Sequence, residues 1–246
     1  MKNTIKGKNF AIILASGSGT RFNSKKIPKH LINIMGVPTI IWTLDSVIRS
    51  NIFDLIVVVT KKKSLHLTNK KINIFFHKKK NKIFSTIGGK DRIRSFFEGL
   101  KKVINLTQIK KNDIISLIDS NRPFCSVNQL KEMNKLVKKF GCVCPARPVV
   151  NGVAEINKKK IINVPVKEKF VEFVTPEFIL YNILDNSINS SKKQFKSLVE
   201  YSLNLSLKPI YINSNELNSK LTYPEDLVFL EGLVKKYKLK IPTKYL

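Results

Sequence analysis

Runs of aliphatic residues alternate with amphipathic segments along most of the chain, and this alternation restricts the possible folds more than any other feature. The run FAIILA (10–15) and the β-branched run LIVVVT (55–60) predict strands buried on both faces. Between them, TIIWTLDSVIRS (39–50) has the apolar spacing of a helix. Because this order continues toward the C-terminus, we predict an α/β fold with a mostly parallel sheet and helices on both faces.

The remaining elements follow from the same patterns. We predict strands at 72–77, 113–119, 142–150 and 205–213, helices at 91–103, 127–141, 176–188 and 224–238, and a hairpin at 154–166. The 246 residues are enough for one large buried core, so we expect residues 1–246 to form a single domain.

The net charge of +28 is the obvious argument for a nucleic-acid partner. The lysines are spread along the chain, however, and the densest run, HKKKNK (77–82), is short. We therefore interpret the charge as a lysine-rich solvated surface and expect no nucleic-acid partner. The sequence contains no apolar window of about 18 residues, so we predict no membrane-spanning helix. The three cysteines lack the spacing of a disulfide framework, so we expect a cytoplasmic protein.

A glycine turn with several cations follows the first predicted strand. Its members are Gly17, Gly19, Arg21, Lys25, Lys26 and Lys29. Glycines let backbone N–H groups approach a phosphate closely. The segment is not a dinucleotide fingerprint, since position 22 is Phe, and no Gly-Lys-Ser/Thr of a Walker A loop follows. A glycine turn with converging cations suits a triphosphate.

Two further motifs are predicted at the same edge of the sheet, where the carboxyl ends of parallel strands meet. GGKDRIRS (88–95) opens a predicted helix, and DSNRPF (119–124) follows a predicted strand. Asp119 is a carboxylate among many cations. Its position fits a Mg²⁺ ligand, but it fits a turn or helix-capping residue equally well.

Five motifs in order resemble those of the CTP-dependent cytidylyltransferases of the 2-C-methyl-D-erythritol 4-phosphate and ribitol 5-phosphate type. They are LASGSGTRF with IPKHL, GGKDRIRSF, IDSNRPF, TPEFI (175–179), where the family has Thr-Pro-Gln-x-Phe, and KLTYPEDL (220–227). The resemblance implies a Rossmann-like nucleotidyltransferase fold. It also implies a protruding β-arm, at about 148–166, through which two copies form a homodimer.

The resemblance further implies a role for each matching residue. The implied catalytic residues are Arg21, Lys29 and Lys220, which would stabilise charge on the phosphates of CTP. The implied nucleotide-binding residues are Ala15, Ser16, Gly17, Gly19, Gly88, Arg92, Ser95 and Asp119, and Asp119 would also bind Mg²⁺. The implied acceptor-binding residues are Arg122, Lys167 and Thr175.

The departures from the family pattern concern the acceptor. Pro148 and Val149 occupy the positions of an Asp-Thr pair, Lys167 replaces an arginine, and a Thr-Asp pair is missing before 197–204. We therefore expect CMP transfer from CTP to an altered acceptor, a polyol or sugar phosphate destined for a surface polymer.

Three alternatives stay open. The first is 2-C-methyl-D-erythritol 4-phosphate itself, in isoprenoid synthesis, and the second is another nucleotidyltransferase reaction such as one using a sugar 1-phosphate. The third is a catalytically silent basic binding protein, against which the retained Arg21, Lys29, Asp119 and Lys220 argue.

Overall fold

A central mixed β-sheet with helices on both faces forms the framework of the molecule. The computed structural model describes residues 7–17, 22, 27–79, 81–184 and 195–243. The strands are β1 (Asn9–Ala15), β2 (Asn33–Ile34), β3 (Val37–Pro38), β4 (Leu55–Thr60), β5 (Ile83–Ile87), β6 (Ile114–Asp119), β7 (Cys142–Pro148), β8 (Glu155–Asn157), β9 (Lys160–Asn163), β10 (Val171–Phe173), β11 (Glu177–Leu180) and β12 (Ile210–Asn213). The helices are α1 (Thr39–Ser50), α2 (Lys62–Phe76), α3 (Arg92–Leu106), α4 (Val127–Phe140), α5 (Leu198–Asn204) and α6 (Asp226–Lys236).

The order of the strands brings four carboxyl ends to one edge. The sheet runs β10-β7-β11-β6-β1-β4-β5, and β12 pairs with β7. β1 is parallel to both β4 and β6, and β5 is parallel to β4. Consequently the segments that follow β1, β4, β5 and β6 lie side by side, which is where an open α/β sheet binds ligands.

Strand β1 illustrates why the sheet is covered on both faces. Ala11 and Ile13 point into one apolar cluster, which includes residues of α1, α2, α4 and α6. Phe10 and Ile12 point into a second cluster, which includes residues of α3 and α5. Successive strand residues face opposite sides of a sheet, so an uninterrupted aliphatic run needs helices on both. The predicted architecture is therefore confirmed.

The strand predicted at 72–77 is wrong, because these residues form the end of α2 and the turn of 3₁₀ helix after it. Thr68, Ile72, Phe75 and Phe76 are buried along one side of that helix, a spacing of three to four residues. The strand of this region is β5, which begins at Ile83.

The helix predicted at 176–188 is wrong where the structure describes it, since β11 is a strand followed by a turn of 3₁₀ helix at Tyr181–Leu184. β11 is inserted antiparallel between β6 and β7. Phe178 and Ile179 are buried in the two different apolar clusters, so consecutive residues face opposite sides. Long-range pairing with two strands therefore decides this conformation.

Two smaller outcomes concern the C-terminal half. The strand predicted at 205–213 begins only at Ile210. The predicted hairpin is confirmed as β8 and β9, whose residues are all exposed. Within the described ranges, no helix combines the length and apolar character needed to cross a bilayer.

Candidate active site

A cleft of about 380 Å³ lies at the carboxyl edge of the parallel strands, and we call it the first cleft. It is lined by Leu14, Ala15, Ser16, Gly17, Lys29, His30, Lys61, Gly89, Lys90, Asp91, Arg92, Ser95, Asp119, Ser120, Asn121 and Lys220. Eight of the residues predicted for nucleotide binding and catalysis are among them. The predicted Gly19 and Arg21, with the neighbouring Lys25 and Lys26, lie outside the described residues.

The turn after β5 shapes one wall of the first cleft. Ser16 donates to the Ser95 hydroxyl at 2.9 Å, and Ser95 donates to the Asp91 carbonyl at 2.8 Å. A Cβ atom at Gly88 would lie 2.7 Å from the Ser95 oxygen and 3.0 Å from the Ser16 Cβ. Gly88 does not line the cleft itself but allows the strand ends of β1 and β5 to approach. The α3 helix then begins with a side-chain cap from Asp91, which accepts from the Arg94 N–H at 2.8 Å.

Asp119, at the end of β6, is the central anion of the site. Its Oδ2 accepts from Lys220 Nζ at 3.0 Å, and its Oδ1 lies 3.5 Å from Arg92 Nη2. Burial alone would raise the pKa of Asp119, but Arg92, Lys220 and Arg122 outweigh it and hold the pKa at about 2. The group is therefore an ionised carboxylate throughout the physiological range.

Two hydrogen bonds between Asn121 and Leu221 bring Lys220 to Asp119. Asn121, two residues after β6, donates its side-chain amide to the Leu221 carbonyl at 2.9 Å. The Leu221 N–H donates to the Asn121 carbonyl at 2.8 Å. These reciprocal bonds join segments 100 positions apart and set the lysine against the carboxylate.

Arg92, at the start of α3, is held by three acceptors. Nη1 donates to the Lys196 carbonyl at 2.7 Å, and Nη2 donates to Glu177 Oε1 at 3.1 Å while also facing Asp119. Glu177 belongs to β11 and is almost fully buried. Burial raises the pKa of Glu177, and the Arg92 guanidinium opposes that rise. Both of its oxygens accept from donors, so the geometry fits the ionised form.

A second cleft of about 520 Å³ begins on the other side of these charges. It is lined by Arg92, Asp119, Arg122, Phe173, Val174, Thr175, Glu177, Lys196, Ser197, Val199, Glu200, Leu203 and Lys220. Arg92, Asp119 and Lys220 therefore form a shared wall between the first and second clefts.

Two of the three predicted acceptor residues line the second cleft. Arg122 donates to the Asn218 carbonyl at 2.5 Å, and its Nε is buried with no hydrogen-bond partner among the described residues. The Thr175 hydroxyl lies 3.4 Å from the Asp119 N–H, which donates to it. The third, Lys167, lies at the base of the hairpin, where Nζ donates to the Val150 carbonyl at 3.2 Å, and it lines neither cleft.

Sequence reasoning missed several lining residues. Lys61 and Lys90 add cations to the first cleft, and Glu177 was quoted within a motif without a role. An acidic residue inside a family motif, in a chain with 45 basic and 17 acidic residues, was the available signal. His30 also lines the first cleft; its Nε2 lies 2.8 Å from the Thr68 hydroxyl, and burial lowers its pKa to about 4.

Comparisons with known proteins show which family the chain is similar to. Residues 10–236 match the family of 2-C-methyl-D-erythritol 4-phosphate cytidylyltransferase, IspD. The protein of that name from Thermosipho melanesiensis is 30% identical over 231 residues, covering 92% of this chain and 97% of its own. Its counterpart from Clostridium botulinum strain Okra is 29% identical over 233 residues, covering 93% and 98%.

A solved structure supports the fold. The crystal structure of 4-diphosphocytidyl-2C-methyl-D-erythritol synthase from Anaerococcus prevotii superimposes with a TM-score of 0.75 at 21% identity, covering 93% of this chain and 99% of that one. The chain thus belongs to the IspD family of CTP-dependent cytidylyltransferases, and it is a nucleotidyltransferase.

Proposed function

We propose that the chain transfers CMP from CTP to the phosphate of a small phosphorylated polyol and releases pyrophosphate. The observation that carries the proposal is the wall of Arg92, Asp119 and Lys220, which lines both clefts. A nucleotide in the first cleft and an acceptor phosphate in the second meet at these charges. Such a geometry suits a displacement in which positioning and charge neutralisation supply most of the catalysis.

The nucleotide occupies the first cleft. Gly17 and Gly19 offer backbone N–H groups to the phosphates, and Arg21 and Lys29 neutralise their charge. Ala15, Ser16 and the turn that Gly88 and Ser95 shape face the ribose and the base. The support is that all of the described members of this set line the first cleft or, for Gly88, shape its wall.

Asp119 fits a Mg²⁺ ion that arrives with the nucleotide. Among the described residues, no three His, Cys, Asp or Glu side chains gather into a complete metal site. Mg²⁺ is commonly bound through one or two carboxylates together with substrate phosphates, so one ionised carboxylate is sufficient. The ion would contribute positive charge at the phosphates, and the residues of this chain provide its anchor.

The chemical step needs no nucleophilic side chain. An oxygen of the acceptor phosphate attacks the α-phosphorus of CTP, the new P–O bond forms, and the bond to pyrophosphate breaks. Lys220 contacts the α-phosphate under attack, and Lys29 and Arg21 stabilise the charge of the leaving group. Donors already in position gain most from the charge that develops in the transition state.

The acceptor occupies the second cleft. Arg122 and Thr175 line it, and the buried Nε of Arg122 has no hydrogen-bond partner in the part of the chain that the structure describes. 2-C-Methyl-D-erythritol 4-phosphate is the first acceptor to test, because it names the family that matches residues 10–236. The departures at Pro148, Val149 and Lys167 lie on or beside the hairpin, outside both clefts.

The hairpin and its flanks, about 148–166, form the β-arm of a homodimer. Val150, Ile156, Ile161 and Val164 are 80%, 66%, 66% and 70% exposed. An apolar strip of this extent on a soluble chain favours a protein partner, and a second copy is the simplest one. The acceptor role of Lys167 depends on where this arm lies in the dimer.

Two further parts of the proposal concern context. All three cysteines are free and buried, which supports a reducing compartment and a cytoplasmic location. A catalytically silent binding protein gains no support, since Lys29, Asp119 and Lys220 line the same cleft.

The proposal is tested by measuring pyrophosphate release with CTP, Mg²⁺ and a panel of phosphorylated polyols that includes 2-C-methyl-D-erythritol 4-phosphate and ribitol 5-phosphate. We expect turnover with at least one of them and little with ATP or GTP. If 2-C-methyl-D-erythritol 4-phosphate were the only acceptor that gave turnover at ordinary rates, the expectation of an altered acceptor would be wrong. Failure of every acceptor, with no CTP binding by calorimetry, would exclude cytidylyl transfer.

A further inference from the structure

We propose that Glu177 is a positioning residue, which holds Arg92 at the wall between the two clefts and thereby keeps Asp119 available to the metal-bound nucleotide. The inference rests on the function proposed above and assigns a role to a residue outside the implied catalytic set. Three observations carry it.

The first observation is that, within the described part of the chain, both carboxylate oxygens of Glu177 accept hydrogen bonds. Oε1 accepts from Arg92 Nη2 at 3.1 Å, and Oε2 accepts from the N–H groups of Leu198 and Val199 at 2.6 and 3.1 Å. The side chain is 1% exposed, so no water replaces a lost partner. An amide places an NH₂ group on one of these two sides, where it would face another donor. In this chain the site therefore fits a carboxylate better than an amide, and it differs in this from the family's motif, which has glutamine at this position.

The second observation is that one nitrogen of Arg92 lies between two carboxylates. Nη2 is 3.1 Å from Glu177 and 3.5 Å from Asp119, so Glu177 is the closer partner. Asp119 already binds Lys220 at 3.0 Å through its other oxygen. Without the charge of Glu177, Arg92 would move closer to Asp119, with which it already makes a long ion pair. A shorter Arg92–Asp119 contact would compete more strongly with a divalent ion for the charge of Asp119.

The third observation connects Glu177 and Arg92 to the second cleft. The N–H groups that donate to Glu177 belong to the first turn of α5. Val199, Glu200 and Leu203 of that helix line the second cleft. The Lys196 carbonyl, just before α5, accepts from the other terminal nitrogen of Arg92. One carboxylate therefore sets both the wall of the second cleft and the arginine at its junction with the first.

The test compares E177Q with wild type in two assays. The first is Mn²⁺ binding to the enzyme–CTP complex, followed by the electron paramagnetic resonance signal of free Mn²⁺, and it needs no acceptor and no turnover. We expect about tenfold weaker Mn²⁺ binding, the scale of one lost charged hydrogen bond. The second is steady-state kinetics, where we expect a similar rise in the Mg²⁺ concentration at half-maximal rate.

Two variants separate positioning from simple structural support. E200Q removes a carboxylate from the lining of the same cleft without touching Arg92, and it should leave Mn²⁺ affinity within about twofold of wild type. The double variant E177Q/R92M removes the competing cation, so it should recover Mn²⁺ affinity while turnover stays low. Wild-type Mn²⁺ affinity in E177Q, or no recovery in the double variant, would overturn the proposal.

Folding is monitored by circular dichroism and thermal unfolding. If E177Q does not fold, E177D keeps the charge on a shorter side chain and should weaken Mn²⁺ binding in the same direction, and an unchanged affinity there overturns the proposal as well. A wild-type enzyme that neither binds CTP nor releases pyrophosphate would contradict the proposed function instead, so the two failures are distinguishable.

Discussion

Three charged side chains, Arg92, Asp119 and Lys220, lie together where the two clefts meet. Arg92 belongs to α3, Asp119 ends β6 and Lys220 lies in the segment before α6, and each was predicted for the site from the sequence. Their mutual distances were not predictable, because they depend on the hydrogen bonds between Asn121 and Leu221 and on Glu177 in β11. The identities of these three residues could therefore be predicted from motifs, whereas the distances between them are set by distant parts of the chain.

Replacing Asp119 by asparagine should abolish most of the Mg²⁺-dependent turnover. The amide removes the charge that anchors the ion in the proposed function, and it leaves Lys220 and Arg92 without their shared anionic partner. We expect a fall in kcat of at least about 100-fold, the usual effect of losing one preorganised electrostatic group. Pyrophosphate release measures it, and E98Q, which removes an exposed carboxylate on α3, serves as the control. Unchanged turnover in D119N would rule out the metal role.

His30 should make the fold less stable in mild acid. Its folded pKa of about 4 lies below the reference value of 6.5, so the unfolded chain takes up a proton first as the pH falls. Stability from this group is complete above pH 6.5 and is lost down to about pH 4. Between pH 7 and pH 5 the loss should be about 2 kcal/mol.

Urea unfolding at the two pH values measures this loss. The matched variant is H30Q, whose amide can still donate to Thr68 but does not titrate. The difference between wild type and H30Q isolates the histidine from the other titrating groups, and equal pH dependence in both proteins would contradict the assignment.

Elements that are stabilised by their own residues were predicted well, whereas those stabilised by pairing were not. The bounds of α1 and β4 match the predictions at 39–50 and 55–60, because an apolar periodicity or an aliphatic run suffices there. β11 was mistaken for a helix because its conformation depends on β6 and β7. The same error hid Glu177, whose burial comes from the position of that strand.

The turn after β5 predicts an effect for G88A. The new methyl group would lie 2.7 Å from the Ser95 oxygen and 3.1 Å from Val59 Cγ1, so the turn must shift. Overpacking of this kind costs about 1–3 kcal/mol, and we expect the KM for CTP to rise about tenfold with a smaller change in kcat. G232A is the control, since a methyl group at this exposed position of α6 has no neighbour within 4 Å. An unchanged KM for CTP would show that this turn does not shape the nucleotide site.

The β-arm predicts a change of oligomeric state. Ile156 and Ile161 are cross-strand neighbours and are both 66% exposed, so the double variant I156E/I161E would place two charges in the proposed interface. We expect dimers for wild type and monomers for the variant by sedimentation equilibrium. I104E introduces a charge at an exposed isoleucine of α3 and should stay dimeric. A monomeric wild type, or a dimeric double variant, would contradict the proposed arm interface.

At the scale of the whole molecule, the sequence predicted the fold family from five ordered motifs, and the match over residues 10–236 confirms it. The net charge of +28 could be read only as an average over the surface. An excess of positive charge attracts the anionic CTP and phosphorylated acceptors from a distance, and dissolved salt screens this attraction.

This charge predicts a salt-dependent rate. Raising NaCl from about 20 mM to about 200 mM should lower kcat/KM for CTP about tenfold, mainly through slower association. Stopped-flow binding at constant free Mg²⁺ separates association from dissociation. Association rates that do not change with salt would show that the lysine-rich surface does not steer substrates.

The wall of Arg92, Asp119 and Lys220 is thin enough to belong to both clefts, and this has a consequence for inhibition. A bisubstrate ligand, with a cytidine phosphate covalently joined to a polyol phosphate, could occupy both clefts at once and would cross the wall at Asp119. Binding of its nucleotide half would raise the effective concentration of the other half, as in any linked pair. Such a compound would gain affinity from the nucleotide side and selectivity from the acceptor side.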